Sequence, residues 1–412
     1  MPFQDNPQDI LRARGALRGV VVLDLTRVVA GPYCAMVLAD LGATVIKIEH
    51  PGDPDLTREC PPFSRQQSRQ QVSGFFAQYN RNKLAVKLDL KHAEGRRLFL
   101  DMVARAQVVM ENFRPGTMDR LGLGYEVLKQ HNPAIVHTAI SGFGQRGPNR
   151  SRPAYDSTAQ ATGGLWSMNG LQEEPMRVGT VLGDLSAGLF AAIGTLAALR
   201  EAEKSGQGQR VDVSQQDAIV SLTENAIVTY TETGEVTVPS GNGHPFVKPY
   251  GRYRCKDGYV FCGAYTDKFW REACRTFGDS EMENDPETAT MAQRFSQDVY
   301  ERKVDPAVRR WCGRHTKAEL EEMVGDRFPL SPIKGIDEVV ADPHLRARDM
   351  LVEVGYEGGR FLVFGNPVKL SLGTLERDAR APGAGQDNEA VYRRWLGLDD
   401  DRYRALEGLG VI

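Results

Sequence analysis

The first half of the chain alternates strand-like apolar runs with longer segments of helical periodicity. Short apolar runs bounded by Gly, Pro or polar clusters are typical of strands buried on both faces of a parallel sheet. The strand-like runs occupy residues 20–25, 44–49, 84–90, 108–113, 134–140 and 210–214. Helical segments between them, beginning with Pro32–Leu41, predict β-α-β units and therefore a parallel α/β sheet.

The pattern changes beyond residue 234. Gly, Pro and Asn cluster between residues 234 and 250, which predicts a domain boundary. Lys256-Asp-Gly258 separates two alternating runs and predicts a β-hairpin, and helical segments follow it. The predicted division is a large domain, a small α+β domain and a C-terminal segment that returns to the large domain: residues 1–233, 241–330 and 331–412.

The composition of the chain mainly argues against certain partners and classes of site. The 412 residues are 41% hydrophobic and 25% charged with a net charge of −3, so neither nucleic acid nor an anionic membrane is an expected partner. The apolar stretches end before about 18 residues, which predicts no membrane span. The N-terminus has no signal-peptide pattern, and a cytoplasmic protein is expected. The spacing of the six cysteines and seven histidines matches no metal site, so no metal is expected.

Arg81 and Lys83 place two cations just ahead of a predicted strand, and several predicted strands end in loops rich in Gly, Pro and cations, such as residues 112–116 and 141–148. Ligands of open α/β sheets bind at the carboxyl ends of the strands, so an anionic ligand larger than a simple acid is expected. Taken alone, Arg81 and Lys83 are more typical of solvated surface charge. The first turn, Thr26–Pro32, lacks the G-x-G-x-x-G pattern, so NAD is not expected.

One carboxylate stands out because of its position. Asp184 lies in the Gly-rich stretch Gly179–Gly188, directly ahead of the apolar run Leu189–Leu199, which predicts a buried helix. One interpretation is a helix N-cap, for which Asp is a preferred residue. The other is a reactive carboxylate that is accessible from one side and is kept anionic by the helix N-terminus.

Short motifs along the chain carry a resemblance to a known family. They are Leu23–Pro32, Asp40–Gly52, Arg81–Lys83, Glu111–Gly116, Ile140–Gln145, Gly206–Val211, Gln216–Ala218 and the segment from Gly385 to Ile412. In this order and spacing the chain resembles, over nearly its whole length, the class III coenzyme A transferases, the family of formyl-CoA transferase and carnitine CoA-transferase.

The resemblance implies a fold and a reaction. It implies a Rossmann-like large domain, a smaller α+β domain and a homodimer of interlocked chains. A family Asp, matched by Asp184, attacks an acyl-CoA to give an anhydride and then an aspartyl-CoA thioester, from which a carboxylic acid collects CoA. No cofactor is permanently bound in this reaction, and the CoA thioester is a substrate. With a reference pKa near 4, Asp184 is expected to be ionised, and backbone N–H groups of its Gly-rich surroundings would bind the oxyanion.

The resemblance also implies site residues. Those matched to the CoA site are Val28, Ala30, His50, Arg81, Lys83, Asn112, Phe113, Arg120, Ser141 and Phe143. Those matched to the substrate site are Tyr155, Gly241, Gly243 and His244. A second carboxylate on the substrate could meet Arg27, His50, Arg177 or His244, so a dicarboxylate such as succinate is a plausible donor or acceptor.

Departures from the family pattern narrow the reaction. Formyl-CoA transferase has a Gln where this chain has Val29 and a four-glycine loop where it has Gly241-Asn-Gly243, so oxalate–formate exchange is not expected. The related α-methylacyl-CoA racemases use a His where this chain has Tyr155, and Tyr is a poor base at neutral pH. Transferase activity is therefore favoured; the alternatives are a 2-methylacyl-CoA racemase or epimerase and a non-catalytic CoA-binding protein.

Overall fold

The computed structural model describes residues 15–65, 72–171, 174–372 and 379–412. The chain divides into two compact units. The first unit comprises Met1–Leu165, Arg177–Ile227 and His344–Ile412, and the second comprises Trp166–Met176 and Val228–Pro343. The domain boundaries drawn from the sequence stay a prediction.

A six-stranded parallel sheet forms the centre of the first unit. Its strands are β1 (Val21–Asp24), β2 (Thr44–Glu49), β3 (Lys83–Lys87), β4 (Val108–Glu111), β5 (Val136–Ser141) and β6 (Arg210–Ser214). They are ordered β3-β2-β1-β4-β5-β6, and each neighbouring pair is parallel. The α/β fold with a parallel sheet that the sequence predicts is confirmed.

Helices cover both faces of this sheet. In chain order they include α1 (Ala30–Asp40), α2 (Gly74–Asn80), α3 (Ala93–Val103), α4 (Thr117–Arg120), α5 (Tyr125–His131), α6 (Asp156–Thr162), α7 (Leu182–Ser205) and α8 (Gln215–Val220). Alternate strand residues enter different cores: Val22 packs with α1 and α7, while Leu23 packs with α3. Burial on both faces explains why the strands read as continuous apolar runs.

Smaller elements complete the described part of the chain outside the second unit's core. They are a 3₁₀ turn (Leu56–Glu59), helices Leu165–Met168, Ala226–Thr233, Pro343–Ala347 and Asp400–Gly408, a π-helical turn (Ala390–Trp395), and a sheet of Gly359–Phe364, Leu351–Tyr356 and Ala379–Arg380.

The helix α7 is longer and more apolar than the sequence analysis allowed. Its 24 residues are enough, by length and composition alone, to cross a membrane, which the sequence pattern did not predict, and the expectation of no membrane span stays a prediction. In its most apolar window, 56% is buried inside the protein. A Cβ on Gly188 would lie 2.7 Å from the Ala30 carbonyl oxygen, so α7 packs closely on the start of α1. Packing in the core accounts for this apolar composition.

Two segments whose sequence patterns each predict one helix, residues 153–169 and 214–232, are broken in the structure. The first forms α6 and the short helix Leu165–Met168, which are separated at Gly164 with a φ of +89°. The second is interrupted near Glu224, which has a φ of +52°. Positive φ angles end helices, and the apolar periodicity continues through both breaks, so it conceals them.

The second unit contains an antiparallel sheet in the order Leu330–Pro332, Gly258–Cys262 and Gly251–Cys255. Cys255 pairs with Gly258, so the hairpin predicted at Lys256-Asp-Gly258 is confirmed. Trp270 and Trp311 pack in its core. Its other elements are helices Asp267–Thr276, Ser280–Asn284, Met291–Phe295, Gln297–Val299, Asp305–Gly313, Lys317–Val324 and Ile336–Ala341, a π-helical turn (Tyr300–Val304), and the strand pair Gly170–Leu171 and Glu174–Pro175.

Candidate active site

The turn after β1 lies at the carboxyl edge of the sheet and is held from several sides. Thr26 donates its backbone N–H to Asp24 (2.9 Å), and its carbonyl accepts from Lys47 Nζ (2.9 Å). Asn112, which follows β4, accepts from the backbone N–H of Arg27 (2.9 Å) and donates to its carbonyl (2.8 Å). The neighbours β1 and β4 are where the strand order reverses, the usual ligand-binding place in open α/β sheets.

Val28 in this turn has a backbone conformation that is rare for its type. Its φ is +71°, in the left-handed region, which a β-branched residue avoids. The Asp55 carboxylate accepts the Val28 N–H at 3.3 Å from each oxygen. Strain of about 1–3 kcal/mol persists only where surrounding contacts enforce it, and such residues cluster at functional sites. The surrounding contacts therefore hold the backbone of this turn in a fixed conformation.

Buried ion pairs support the turn from below. Lys83 Nζ lies 2.9 Å from Asp24 and 3.1 Å from the Pro32 carbonyl oxygen, and Lys47 Nζ lies 3.0 Å from Asp55. All four side chains are fully buried. Burial lowers the pKa of Lys83 to about 8, although Asp24 opposes the shift. Burial alone would raise the pKa of Asp55, but Lys47 and hydrogen bonds from Thr57 lower it to about 2.

Asp184 is the third residue of α7 and is half-buried. It does not cap the helix: the N-cap position belongs to Val181, without a side-chain cap, so the capping interpretation is wrong. The carboxylate of Asp156 instead accepts the N–H of Gly183 (2.8 Å) in the first turn of α7. Because Asp156 on α6 accepts this N–H, the Asp184 carboxylate is not used to cap α7.

The pKa of Asp184 is raised to about 7. Burial is the main cause, and the negative charge of Asp156 adds to it, while the hydrogen bond from Gln215 opposes it. The expectation of a carboxylate with a pKa near 4, held ionised by the helix N-terminus, is therefore wrong, since desolvation outweighs the helix dipole here. A carboxyl group with this pKa is about half ionised at neutral pH.

Two residues beside Asp184 were not predicted. Gln215, directly after β6, donates from Nε2 to Asp184 Oδ1. Tyr79, on α2, is buried, and its pKa is raised to about 12 by burial and then by the charge of Asp184. In the sequence Gln215 belongs to a helix-capping pattern, which Ser214 fulfils by accepting the Asp217 N–H (3.1 Å). Tyr79 lies two residues before Arg81 in the sequence, and neither Gln215 nor Tyr79 belongs to a pattern that predicts its proximity to Asp184.

Asp156 forms a second buried carboxylate near Asp184. Besides the Gly183 N–H, it accepts from Gln160 Nε2 at 3.0 Å to both oxygens and from Arg177 Nη1 at 3.4 Å. The Arg177 side chain is 38% exposed. The arrangement thus combines a protonatable carboxyl group, an amide donor and a partly exposed cation.

Comparison with known proteins places this arrangement in a family. The family model described as "CoA-transferase family III" matches residues 17–388. The chain belongs to this family. A "Succinyl-CoA:mesaconate CoA-transferase" of Haloarcula hispanica is 36% identical over 375 residues, which are 89% of this chain and 93% of the relative.

An "Acetyl-CoA:oxalate CoA-transferase" of Acetobacter aceti is 35% identical, over 87% of this chain and 90% of the relative. The crystal structure of "a CAIB/BAIF family protein from Brucella suis" superposes with a TM-score of 0.81 at 30% identity, covering 93% of this chain and all of that one. The predicted family and enzyme class, a class III CoA-transferase, are confirmed.

Several of the residues that family resemblance assigns to CoA lie at the carboxyl edge, among them Val28, Ala30 and Ser141. Val28 belongs to the turn after β1 and Ala30 begins α1, where its carbonyl oxygen faces Gly188, one helical turn beyond Asp184. Ser141 ends β5, opposite Ser214, and its buried Oγ has no hydrogen-bond partner among the described residues. Their contact with CoA in this transferase stays a prediction.

The remaining residues assigned to CoA have varied surroundings. Asn112 clamps the backbone of Arg27, as described above, and Phe113 packs against the core. Phe143 is buried below the guanidinium of Arg152, which lies 5.5 Å from its ring centroid. Arg120 is exposed and donates to Thr117. His50 Nδ1 accepts the Gly52 N–H (3.0 Å), while its Nε2 lies 3.4 Å from Asp89.

Arg81 and Lys83 differ from what was expected, because both are buried in ion pairs. Arg81 Nη2 lies 2.6 Å from Asp40, and its Nη1 donates to the Phe364 carbonyl (3.0 Å). Lys83 is committed to Asp24. These contacts give both cations a structural role, and the geometry does not support a direct contact with CoA.

Arg81 also lines a cavity of about 950 Å³ in the first unit. Ala16, Leu41 and Asn82, which precede β1, β2 and β3, line it as well, so it lies at the amino edge of the sheet. Asp184 is at the opposite edge and is not among its lining residues. This cavity is therefore separate from the candidate active site.

The predicted substrate residues fall in both units. Tyr155 precedes α6 in the first unit and is 74% exposed. Gly241, Gly243 and His244 belong to the second unit, where Gly241 has a φ of +67° and His244 Nδ1 accepts the Val247 N–H (3.2 Å). Their role toward substrate stays a prediction.

No cluster of three or more His, Cys, Asp or Glu side chains that could hold a metal ion is found within residues 15–65, 72–171, 174–372 and 379–412.

Proposed function

We propose that this CoA-transferase moves CoA from an acyl-CoA thioester to a carboxylic acid by covalent catalysis at Asp184. The observation that carries the proposal is the half-buried Asp184 carboxyl group, bonded to Gln215 at the carboxyl edge of a class III transferase sheet. A nucleophilic carboxylate divides the exchange into easier steps and preserves the energy of the thioester as an acyl-enzyme.

The chemistry proceeds through two covalent states. Ionised Asp184 attacks the thioester carbonyl, and the C–S bond breaks, which gives an aspartyl anhydride and CoA thiolate. The thiolate then attacks the aspartyl carbonyl and releases the donor acid, leaving an aspartyl-CoA thioester. The acceptor carboxylate reverses these two steps and leaves as the new acyl-CoA. A raised pKa gives Asp184 a more nucleophilic anion than an ordinary carboxylate, provided that it is ionised.

The proposal is tested by exchange of label between succinate and succinyl-CoA. We expect Asp184→Asn to abolish the exchange and Asp101→Asn, an exposed control on α3, to retain it. Wild-type exchange by Asp184→Asn would refute the proposal. Reaction of the enzyme with hydroxylamine distinguishes catalysis from CoA binding alone, because hydroxylamine modifies the enzyme only through a covalent aspartyl intermediate.

We further propose a dicarboxylate, such as succinate, as one of the acids. Of the four candidate partners of a second carboxylate, Arg27 is engaged by Asp53 at 2.9 Å, His50 by Gly52 and Asp89, and His244 by the Val247 N–H. Arg177 keeps a partly exposed guanidinium with long contacts of 3.4 Å beside Asp156. The succinyl-CoA relative supports this choice, while the oxalate relative, of similar identity, leaves the length of the diacid open.

A substrate panel tests the role of Arg177. We expect Arg177→Met to raise the KM for succinate at least tenfold, because a charge-assisted hydrogen bond is worth about 1.5–3 kcal/mol, and to change the KM for a monocarboxylate little. Arg200→Met on α7 is the matched control, since its side chain is 68% exposed. An equal effect on both kinds of acid would contradict the assignment.

A homodimer and a cytoplasmic location complete the proposal. Leu189, Phe190 and Ile193 are exposed on α7, which supports burial of this face against a second copy of the chain. Racemase activity is not proposed, because Tyr155 replaces the expected base and the relatives above are named transferases. Deuterium incorporation at C2 of a 2-methylacyl-CoA, without an acceptor acid, would reverse this judgement.

A further inference from the structure

Gln215 holds one particular oxygen of Asp184. Its Nε2 donates to Oδ1, and among the described residues no other hydrogen-bond donor to this carboxylate is found. The side chain is buried, and its backbone is the first residue of α8, which Ser214 caps. Ser214 in turn pairs with Ser141 at the carboxyl edge of the sheet. The amide is thus mounted on a rigid junction between a strand and a helix.

One backbone donor expected to serve Asp184 is already in use. The Gly183 N–H, which directly precedes Asp184, is bonded to Asp156 at 2.8 Å. Gln160 fixes Asp156 in turn, with Nε2 at 3.0 Å from both oxygens. The expectation that backbone groups of the Gly-rich stretch stabilise the oxyanion therefore fails for Gly183. The amide of Gln215 is the donor that remains in direct contact.

We propose that Gln215 is a catalytic residue whose Nε2–H stabilises the oxyanion that develops on Asp184 Oδ1 when CoA thiolate attacks the aspartyl carbonyl. This inference rests on the proposed function of Asp184. Because Oδ1 is bound to the amide, Oδ2 is the oxygen that attacks the acyl-CoA.

Both bond changes follow from this assignment. In the first step Oδ2 bonds to the acyl carbon, CoA leaves as thiolate, and Oδ1 becomes the carbonyl oxygen of the aspartyl half of the anhydride. In the second step the thiolate sulfur bonds to Cγ, and the electron pair of the carbonyl moves to Oδ1. Collapse of this tetrahedral intermediate restores the carbonyl, breaks the Cγ–Oδ2 bond and releases the donor carboxylate. No proton, oxidant or further reactant is needed.

The hydrogen bond is strongest in the transition state of the second step. The carbonyl oxygen of an anhydride is a weak acceptor, whereas an oxyanion forms a charge-assisted hydrogen bond. An interaction that is stronger in the transition state than in the ground state raises kcat rather than lowering KM. Removing one donor of this kind typically costs about 100–1,000-fold in kcat.

The test compares two adjacent glutamines. Gln215→Met keeps the side-chain volume and removes the donor, while Gln216→Met is the control, because Gln216 Nε2 donates to the Thr162 carbonyl (3.0 Å) instead. Each variant is mixed with succinyl-CoA without an acceptor, quenched in acid and measured by intact-protein mass spectrometry. The masses distinguish an acyl adduct, the anhydride, from a CoA adduct, the thioester.

We expect Gln215→Met to lower kcat about 100–1,000-fold with a KM within about threefold of wild type, and to raise the ratio of acyl to CoA adduct at least tenfold. Gln216→Met should match wild type. Gln215→Leu, which also lacks the donor, should fail in the same way, and its adduct ratio decides the question if Gln215→Met does not fold.

A kcat within threefold of wild type and an unchanged adduct ratio in the Gln215 variants would overturn the inference. That result would leave the proposed function intact as long as Asp184→Asn forms neither adduct. Adducts that persist in Asp184→Asn would instead overturn the proposed function itself.

Discussion

At the scale of single residues, the account depends on the protonation of Asp184. Burial and the charge of Asp156 raise its pKa to about 7, against the hydrogen bond from Gln215. The folded protein therefore keeps a carboxyl group in a site that disfavours its anion, although attack requires that anion. Such groups are common at catalytic sites, where reactivity and burial of charge conflict.

The first prediction concerns the pH dependence of activity. Because only ionised Asp184 attacks, kcat/KM should rise about tenfold per pH unit below pH 7 and level off above it. Initial rates of CoA exchange between pH 5.5 and 9, with Asp101→Asn as the control, measure this limb. A rate that is constant down to pH 5.5 would show that Asp184 does not titrate in this range or does not attack.

The second prediction concerns stability. The pKa of Asp184 is raised in the folded state, so its contribution is fully present below about pH 4 and is lost as the pH rises through 7. Asp184→Asn should therefore stabilise the fold increasingly with pH, by about 2 kcal/mol at pH 8. At ~1.4 kcal/mol per pKa unit the full shift would give about 4 kcal/mol. We expect a smaller effect because solvent screens the charge of a half-buried group.

Urea unfolding of wild type and Asp184→Asn at pH 5 and pH 8 measures the second prediction. The difference in free energy of unfolding between the two proteins should be larger at pH 8 than at pH 5. An equal or smaller difference at pH 8 would mean that the ionised Asp184 carboxylate does not destabilise the fold.

At the scale of elements, the turn after β1 is positioned by charges that lie beneath it. Lys83, on β3, reaches Asp24 at the end of β1, and Lys47, on β2, reaches both the Thr26 carbonyl and Asp55. Three neighbouring strands thus fix one turn, including the left-handed Val28. Breaking a buried pair leaves an uncompensated charge, which is far more costly than losing a surface pair.

The third prediction therefore targets Lys83. Lys83→Met should lower the free energy of unfolding by about 3–5 kcal/mol, because it leaves Asp24 buried without its cation. Lys91→Met, at an exposed position, should change it by less than about 0.5 kcal/mol. Denaturant unfolding at pH 7 measures both, and Asp24→Asn should recover part of the loss in the double variant. A cost below about 1 kcal/mol for Lys83→Met would contradict this structural role.

Elements with a strong local pattern could be predicted from the sequence. The strand Thr44–Glu49 and the hairpin at Asp257-Gly258 were both found where expected, since apolar runs and Asp-Gly turns act locally. The helix breaks at Gly164 and near Glu224 could not be predicted, because neither interrupts the apolar pattern. The sequence also did not predict that Arg81 and Lys83 are buried in ion pairs with Asp40 and Asp24. A cation near a strand has the same sequence pattern whether it is solvated or paired with a buried carboxylate.

At the scale of the whole molecule, the candidate site follows from the order of the strands. The first unit brings the turn after β1, the end of β5 and the start of α8 to one edge of the sheet. Asp184 could be selected from the sequence because it lies in a recognisable stretch. Gln215, Tyr79 and Asp156 could not, because their proximity to Asp184 depends on tertiary packing across segments far apart in the chain.

The central claim is that Asp184 becomes covalently linked to CoA, and one measurement tests it most directly. Wild-type protein is mixed with succinyl-CoA without an acceptor acid, quenched in acid and digested, and its peptides are analysed by mass spectrometry. The account predicts a CoA thioester on the peptide that contains Asp184, and its absence from Asp184→Asn. A CoA adduct on another residue, or none in an enzyme that still exchanges CoA, would contradict the account.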